Sequence, residues 1–160
     1  MATENLTATS RGELALSADE PVTTRPGINV FESTVEMTAA ASATSTYWMA
    51  RLPTSARISG QSFIALDDLA STGSPVLDIG LFSVGGNFTD DDTALNASID
   101  AATASARTNV LGDPADIGKR VWELAGEASD PGGYADVKIS LKSAGADDGG
   151  TISMSLVYGV

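Results

Sequence analysis

The feature that most limits what this chain can fold into is an alternation of apolar and polar residues near its C-terminus. Every second residue is apolar in Val137–Lys142, and again in Ile152–Tyr158. A period of two places the apolar side chains on one face of a β-strand and the polar ones on the other. The glycine- and aspartate-rich segment Gly145–Gly150 separates the two runs. The pattern therefore predicts an antiparallel hairpin with one face in a core and the other in solvent.

Four further segments predict strands. Apolar and polar residues alternate in Phe31–Met37, whereas Val76–Val84 is almost continuously apolar, which is typical of a strand covered on both faces. Ala43–Leu52 is rich in threonine and aromatic residues and ends before a proline. Arg57–Leu66 has Gly60 at the position of a bulge. Each segment is short enough to be a single strand of a sheet.

Taken together, these segments predict a mainly β fold. Short strands separated by glycine-rich turns, of which Asp130–Gly133 is the clearest, are typical of an antiparallel β-sandwich or jelly-roll-like domain. We expect this domain to span residues 28–160, with one or two short helices in its loops. The order of the strands stays open.

Two segments interrupt the β pattern and predict those helices. Thr89 followed by Asp90–Asp92 predicts an N-cap and an acidic first turn, and Leu95 and Ile99 would form the apolar face. The second segment begins at Asp113–Pro114, which suits the start of a helix. It also fits a strand, so both interpretations stay open. Its apolar residues at helical spacing are Ile117, Val121 and Leu124.

The segment Met1–Gly27 differs from the rest of the chain. It contains few branched aliphatic residues and no aromatic residue, so it cannot bury enough surface to fold alone. Three interpretations stay open: a disordered terminus, an extended arm that orders against a neighbouring subunit, and a short helix near Glu13–Ala18. We expect an extended N-terminal arm over residues 1–27 that packs on a neighbour rather than on its own domain.

The composition excludes several classes of chemistry. The chain has no histidine and no cysteine, which removes an imidazole base, a Ser-His-Asp triad and a thiolate zinc site. Its formal net charge of -12 argues against binding to phosphates. No apolar run approaches the roughly 20 residues of a membrane-spanning helix, and the N-terminus lacks the pattern of a secretory signal. We therefore expect no enzyme, no cofactor, and neither nucleic acid nor membrane as a partner.

Three acidic clusters are the remaining candidates for chemistry: Asp67–Asp68, Asp90–Asp92 and Asp147–Asp148. Paired carboxylates can bind Ca²⁺ or serve a glycosidase. None of the clusters matches an EF-hand loop, and turn chemistry or a helix N-terminus accounts for the last two. A carbohydrate- or Ca²⁺-binding β-sandwich module, from an adhesin or a tail component, is the alternative function. A small hydrolase built on carboxylates is the least favoured.

Both tryptophans have basic residues close by in the sequence. Aromatic side chains contribute strongly to protein interfaces, although burial in the core and ordinary solvated cations explain the same pattern. In a chain that is otherwise acidic, concentrated cations favour docking onto another acidic protein. The sequence therefore predicts an interface that includes Trp48, Arg51, Arg57, Lys119, Arg120 and Trp122.

Five stretches of the chain resemble small structural proteins encoded among the virion genes of tailed bacteriophages. They are Tyr47–Pro53, Ala56–Ile58, Asp67–Leu69, Gly118–Leu124 and Asp130–Val137. The resemblance covers roughly residues 47–160. These stretches carry no mechanistic motif, so the resemblance brings no catalytic residues with it.

The resemblance implies a capsid decoration, or cement, protein. Proteins of this kind are often β-rich trimers bound at three-fold positions of a capsid lattice, frequently with an extended terminal arm. The implied partners are the major capsid protein and further copies of the chain itself. The implied location is the outer capsid surface of the virion, after synthesis in the host cytoplasm.

Overall fold

The computed structural model describes residues 3–10, 27–37, 41–69, 73–143 and 150–160. Within these residues the chain forms eleven strands, a 3-10 turn (Pro114–Asp116) and a one-turn helix, α1 (Val121–Leu124). The strands in chain order are β1 (Asn5–Thr7), β2 (Thr9–Ser10), β3 (Ile28–Glu36), β4 (Thr46–Pro53), β5 (Arg57–Ile58), β6 (Phe63–Leu66), β7 (Val76–Val84), β8 (Asp91–Asp100), β9 (Ser105–Asn109), β10 (Tyr134–Leu141) and β11 (Thr151–Gly159).

The strands form two sheets. Sheet 1 has the order β1-β4-β10-β7-β8, and sheet 2 has the order β2-β3-β11-β6-β9, with β5 also paired to β11. The described strand pairs are antiparallel except β1 and β4, which are parallel. The inner faces of both sheets contribute to one buried hydrophobic cluster. The predicted mainly β sandwich is confirmed.

The alternation near the C-terminus gives the correct faces but the wrong pairing. In β10 and β11 the apolar side chains that recur at every second residue point into the core, as in the fully buried Ile139 and Ile152. The predicted hairpin is wrong, because β10 pairs with β4 and β7 whereas β11 pairs with β3, β5 and β6. Both are inner strands of different sheets. The predicted turn residues 144–149 lie outside the described residues.

The other predicted strands are confirmed, with different ends for β3 and β4 and one division. Strand β3 spans Ile28–Glu36, and β4 spans Thr46–Pro53 and so includes the proline expected to end it. Strand β7 has the predicted bounds, and its residues 77–81 are all buried, as expected of a strand covered on both faces. The segment Arg57–Leu66 is two strands, because the Ser62 N–H donates to the Ser59 carbonyl at 3.0 Å and closes a turn between β5 and β6. Gly60 therefore lies in a turn and not in a bulge.

The helix predicted after Thr89 is wrong, because the segment forms strand β8. Leu95 and Ile99 are both buried, but a spacing of four is even and therefore also places two residues on one face of a strand. Strand β8 is irregular: Leu81 pairs with Asp91 and Ile79 pairs with Asn96, so four residues of β8 lie opposite one residue of β7. The acidic cluster Asp90–Asp92 lies at the start of this bulge.

The second predicted helix is only partly formed. The Asp113 carboxylate accepts a hydrogen bond from the Ala115 N–H at 2.8 Å and caps a single 3-10 turn, which ends before Gly118. Gly118 has a φ of 87°, in the region that favours glycine, and this breaks the helical path. One α-helical turn, α1, follows and ends at Leu124, and Gly126, with a φ of 79°, lies just beyond its cap.

The first part of the predicted arm belongs to the sandwich itself. Strand β1 pairs with β4 in sheet 1, and β2 pairs with β3 in sheet 2. Ala8, between them, is buried. The expectation that residues 1–27 pack on a neighbour is therefore wrong for residues 4–10, which complete both sheets of their own domain. Residues 11–26, including the helix alternative at Glu13–Ala18, lie outside the described residues.

Two tyrosines in the core, Tyr47 and Tyr158, make the free energy of unfolding depend on pH. Burial raises the pKa of Tyr158 to about 12. Burial and the nearby Glu4 carboxylate, to which the Tyr47 hydroxyl donates at 3.3 Å, raise the pKa of Tyr47 further. Tyrosines in an unfolded chain ionise near pH 10. The protonated core tyrosines therefore stabilise the fold fully below about pH 10, and this contribution is lost as the pH rises through the folded pKa values.

We expect the free energy of unfolding to fall between about pH 10 and 12, with a limiting slope of about 1.4 kcal/mol per pH unit for each tyrosine. The melting temperature should fall steeply over the same range. Thermal melts at a series of pH values measure this effect. The Tyr158→Phe variant is expected to have a shallower fall because it removes one of the two ionisations. A melting temperature that stays constant through pH 12 would contradict the prediction.

Candidate functional site

The outer face of sheet 1 holds a buried ion pair between Arg51 and Asp136. The two residues lie opposite each other on β4 and β10. The guanidinium donates from Nε to Oδ1 at 2.7 Å and from Nη2 to Oδ2 at 3.2 Å, which is a bidentate contact. Only 11% and 12% of the two side chains are exposed. The guanidinium also lies 5.1 Å from the centre of the Trp48 ring.

The next row of the same face continues the pattern of cations on aromatic rings. Lys138 pairs directly with Trp48, and its Nζ lies 4.7 Å from the centre of the Phe82 ring. The Trp48 indole N–H donates to the Ala50 carbonyl at 3.1 Å. The outer face of sheet 1 therefore uses its cations to hold its own strands together, and Trp48 and Arg51 have structural roles there.

The acidic cluster Asp90–Asp92 is also used within the chain. The Asp90 carboxylate accepts from the Ser83 N–H at 2.7 Å, and the Asp91 carboxylate accepts from the Thr93 N–H at 2.8 Å. Asp92 pairs with Lys142, and this hydrogen bond raises the pKa of the lysine. These contacts fix the bulge of β8 over sheet 1. They give the cluster a structural role.

The same lysine reaches a buried carboxylate. Lys142 Nζ lies 3.7 Å from Asp78 Oδ2, and the Asp78 Oδ1 atom accepts from the Ser98 N–H at 2.7 Å. In the part of the chain that the structure describes, no three acidic, histidine or cysteine side chains are grouped to hold a metal ion. The cluster Asp147–Asp148 lies outside that part.

The structure brings the other four predicted interface residues together at one end of the sandwich. Arg57 and Arg120 form an isolated β-bridge, and the Arg57 guanidinium donates to the Gly118 carbonyl. Next to them, the Trp122 N–H donates to the Thr54 carbonyl at 3.1 Å. We call this group the basic loop, and it consists of Arg57, Lys119, Arg120 and Trp122.

The cations of the basic loop differ in their partners. Lys119 Nζ lies 2.7 Å from Asp116 Oδ1, and this hydrogen bond raises the pKa of the lysine. Neither Arg57 nor Arg120 forms an ion pair with a carboxylate among the described residues. The Trp122 Nε1 atom is buried and has no hydrogen-bond partner among them. The basic loop thus presents two guanidinium groups that a partner can contact.

One exposed surface was missed by the sequence analysis. On β3, Ile28 is 83% exposed and Val30 is 62% exposed, although both are β-branched residues in a strand. They have the same parity as Glu32, so they project away from the core. The sequence did contain a signal for this exposure. Ile28 and Val30 share the parity of the polar face of the strand, whereas Phe31 and Val35 belong to its apolar face.

An open groove of about 570 Å³ also lies on the outer face of sheet 2. Its lining is mostly small side chains of β6, β9 and β11, and Asp67 is its one ionisable residue. A single carboxylate cannot provide the acid and base pair that hydrolysis of a glycoside needs. No helix in the described residues is long and apolar enough to cross a membrane.

The fold as a whole is similar to two solved structures. One is a chain of the "Capsid of Ralstonia phage GP4", with a TM-score of 0.57 and 21% identity over 87% of this chain and 88% of that chain. The other is a chain of the "Cyanophage Pam1 capsid asymmetric unit", with a TM-score of 0.55 and 14% identity over 93% of this chain and 99% of that chain. Both are chains of phage capsids. No protein-family model and no curated protein sequence matches the chain.

Those two similarities establish the fold of the chain over nearly its whole length. Each similarity also covers most of the other chain. Function is a separate inference, because one fold can serve many functions.

Proposed function

We propose that this chain is a non-enzymatic structural protein of a tailed-phage virion. It binds the outer surface of the head as a decoration protein, contacts the major capsid protein, and associates with itself as a homotrimer. The observation that carries the proposal is the fold similarity to chains of two phage capsids, each matched over at least 88% of its length. The resemblance in sequence to small virion proteins supports the same function independently.

The internal contacts of the chain agree with a structural role. Two polar groups of the described residues stabilise the fold itself: Arg51 pairs with Asp136, and the Asp90 and Asp91 carboxylates accept hydrogen bonds from backbone N–H groups around the bulge of β8. A structural protein that binds other proteins without catalysis needs a stable fold and a surface that contacts its partner. A decoration protein stabilises a head by adding roughly 1,000 Å² or more of interface at each of many sites that act in parallel.

We propose the basic loop as the surface that docks on the capsid. Arg57 and Arg120 are cations without a carboxylate partner among the described residues, in a chain whose net charge is -12. Carboxylates of Asp116, Asp113 and Glu123 lie near Lys119, so it is the two guanidinium groups, and not a net positive loop, that would orient the protein toward an acidic partner surface. Docking of this kind weakens as salt concentration rises, because salt screens exposed charges.

Co-sedimentation with heads that lack this chain tests the docking. The Arg120→Glu variant is expected to bind at least about tenfold more weakly than wild type, since it places a carboxylate against an acidic partner. The Arg120→Lys variant keeps the charge and serves as the matched control. Both variants should melt within a few degrees of wild type.

Three outcomes decide the proposal. Wild-type protein that does not co-sediment with heads at any salt concentration contradicts the decoration function. Binding that Arg120→Glu leaves unchanged contradicts the basic loop as the docking surface but keeps the function. A rise of several degrees in melting temperature on adding Ca²⁺, reversed by EDTA, would instead favour the alternative of a Ca²⁺-binding module.

We also propose that residues 11–26 contact the capsid or a neighbouring copy. Removing the whole segment before Ile28 would delete β1 and β2, so the test shortens only residues 11–26. Ser10 lies opposite Ser33 on β3, which is six residues from Gly27, or about 20 Å. A linker of about ten Gly and Ser residues spans this distance. The shortened chain is expected to fold and to bind heads more weakly.

A further inference from the structure

The outer face of sheet 2 carries an exposed apolar patch. Ile28 and Val30 of β3 are 83% and 62% exposed. Val30 pairs directly with Val157 of β11, and Ile28 pairs with Gly159. Residues paired across neighbouring strands project to the same face, so Val157 extends the patch. We call Ile28, Val30 and Val157 the apolar patch. Contiguous exposed apolar residues on a soluble protein mark a contact surface.

The two sides of this patch carry opposite charges. On the β3 side, Glu32 is exposed and projects to the same face. On the other side, Arg57 lies in the same row as Ile28, through Gly159, and its guanidinium donates to the Gly118 carbonyl of the basic loop, so this end of the face adjoins the proposed docking surface. Ser155 of β11 pairs with Glu32 on one side and with Phe63 on the other. The Arg107 guanidinium lies 4.7 Å from the centre of the Phe63 ring, so Arg107 is on the side opposite Glu32. The face has an acidic flank, an uncharged centre on β11 and a cationic flank.

We propose that copies of this chain associate through this face, around an axis that runs along β11. The acidic flank of one copy then lies against the cationic flank of the next, and the apolar patches meet near the axis. Identical chains with a net charge of -12 repel each other, so a surface that carries both signs is where they can meet. Contacts between two different flanks are head-to-tail, and they form a ring when the rotation from one copy to the next closes, as the homotrimer requires.

The far end of the same face limits the contact. There, Glu36 pairs with Thr151, and the Asp67 N–H donates to the Thr151 carbonyl at 3.0 Å. Acids thus lie on both flanks in this row and would repel across a ring. We expect the contact to end between this row and the row of Glu32. The inference deepens the homotrimer of the proposed function and rests on it.

Sedimentation velocity of the full chain tests the proposal. Val30→Asp is expected to lower the association constant at least about tenfold, because it places an unpaired charge in the centre of the contact. Val84→Asp introduces the same charge at the end of β7 in sheet 1 and should leave the association unchanged. Melting temperature is measured for both variants. Val30→Asp should stay folded because Val30 is 62% exposed.

An exchange of charges separates this contact from a general effect of charge. Glu32→Arg alone and Arg107→Glu alone should each weaken association, and the double variant should restore it. Association that Val30→Asp leaves intact overturns the proposal, as does a wild-type chain that stays monomeric up to about 1 mM, where even a weak contact would be seen. Co-sedimentation with heads is measured in parallel. Head binding by a chain that does not associate would overturn this inference and leave the decoration function standing.

Discussion

Replacing Gly80 with alanine is expected to lower the free energy of unfolding by about 3 kcal/mol or more. Gly80 lies in β7, where the bulge of β8 crosses its outer face. A Cβ atom at this position would lie 2.3 Å from Asp92 Cα and 2.4 Å from the Asp91 carbonyl oxygen. Both are backbone atoms, so no side-chain rotation relieves the clash, and the bulge itself must move. For a chain of this size the melting temperature should fall by about 6–12 °C.

Gly159→Ala is the matched control for this prediction. Gly159 also lies in a strand, and the nearest atom to a Cβ there is the Gly27 carbonyl oxygen at 3.7 Å, an ordinary contact. The control should therefore change the free energy of unfolding by less than about 0.5 kcal/mol. Equal melting temperatures for the two variants, measured by calorimetry, would show that the bulge does not press on β7.

The case of Gly80 also explains why the sequence mispredicted β8. Acidic residues after a threonine, with Leu95 and Ile99 four residues apart, satisfy the local rules for a helix N-terminus. The same residues form a strand because β7 offers a long partner and a glycine over which the bulge can fold. That complementarity joins residues far apart in the sequence, so no local pattern contains it.

The strands themselves could be predicted because the spacing of apolar residues within each segment shows which face is buried. Pairing could not. The alternation in β10 and β11 fixes which side chains face the core, but it does not say whether the two strands are neighbours. They lie in different sheets, and a glycine-rich connection is compatible with both arrangements. The fold class was therefore predictable, and the strand order was not.

The candidate interface shows the same division. Lys119, Arg120 and Trp122 are close in the sequence, and the structure places this segment beside Arg57. Closeness in sequence could not show that Arg51 already has a partner, because Asp136 lies 85 residues away. A cation whose carboxylate is distant in sequence looks free until the sheet is assembled. Of the predicted interface residues, Arg51 is the one that the fold itself depends on most.

Replacing Asp136 with alanine is accordingly expected to destabilise the fold by about 3–5 kcal/mol, because it leaves a buried guanidinium without its counter-charge. Both hydrogen bonds from Arg51 to Asp136 are lost, while the ring of Trp48 remains against the guanidinium. At about 2–4 °C per kcal/mol, the melting temperature should fall by roughly 6–20 °C. Urea unfolding gives the free energy directly. Removing the exposed pair by Asp116→Ala should have a much smaller effect, since salt and water screen it.

A double variant separates the cost of an unpaired charge from the value of the pair. Arg51→Met with Asp136→Leu removes both charges and keeps apolar volume on the face, so it should recover most of the stability that Asp136→Ala loses. A double variant as unstable as the single one would mean that the bidentate geometry itself holds β4 to β10.

The same double variant also tests the function. Because the proposed docking surface is the basic loop, the folded double variant should bind heads as wild type does. Loss of binding in a stable double variant would move the docking surface to the outer face of sheet 1.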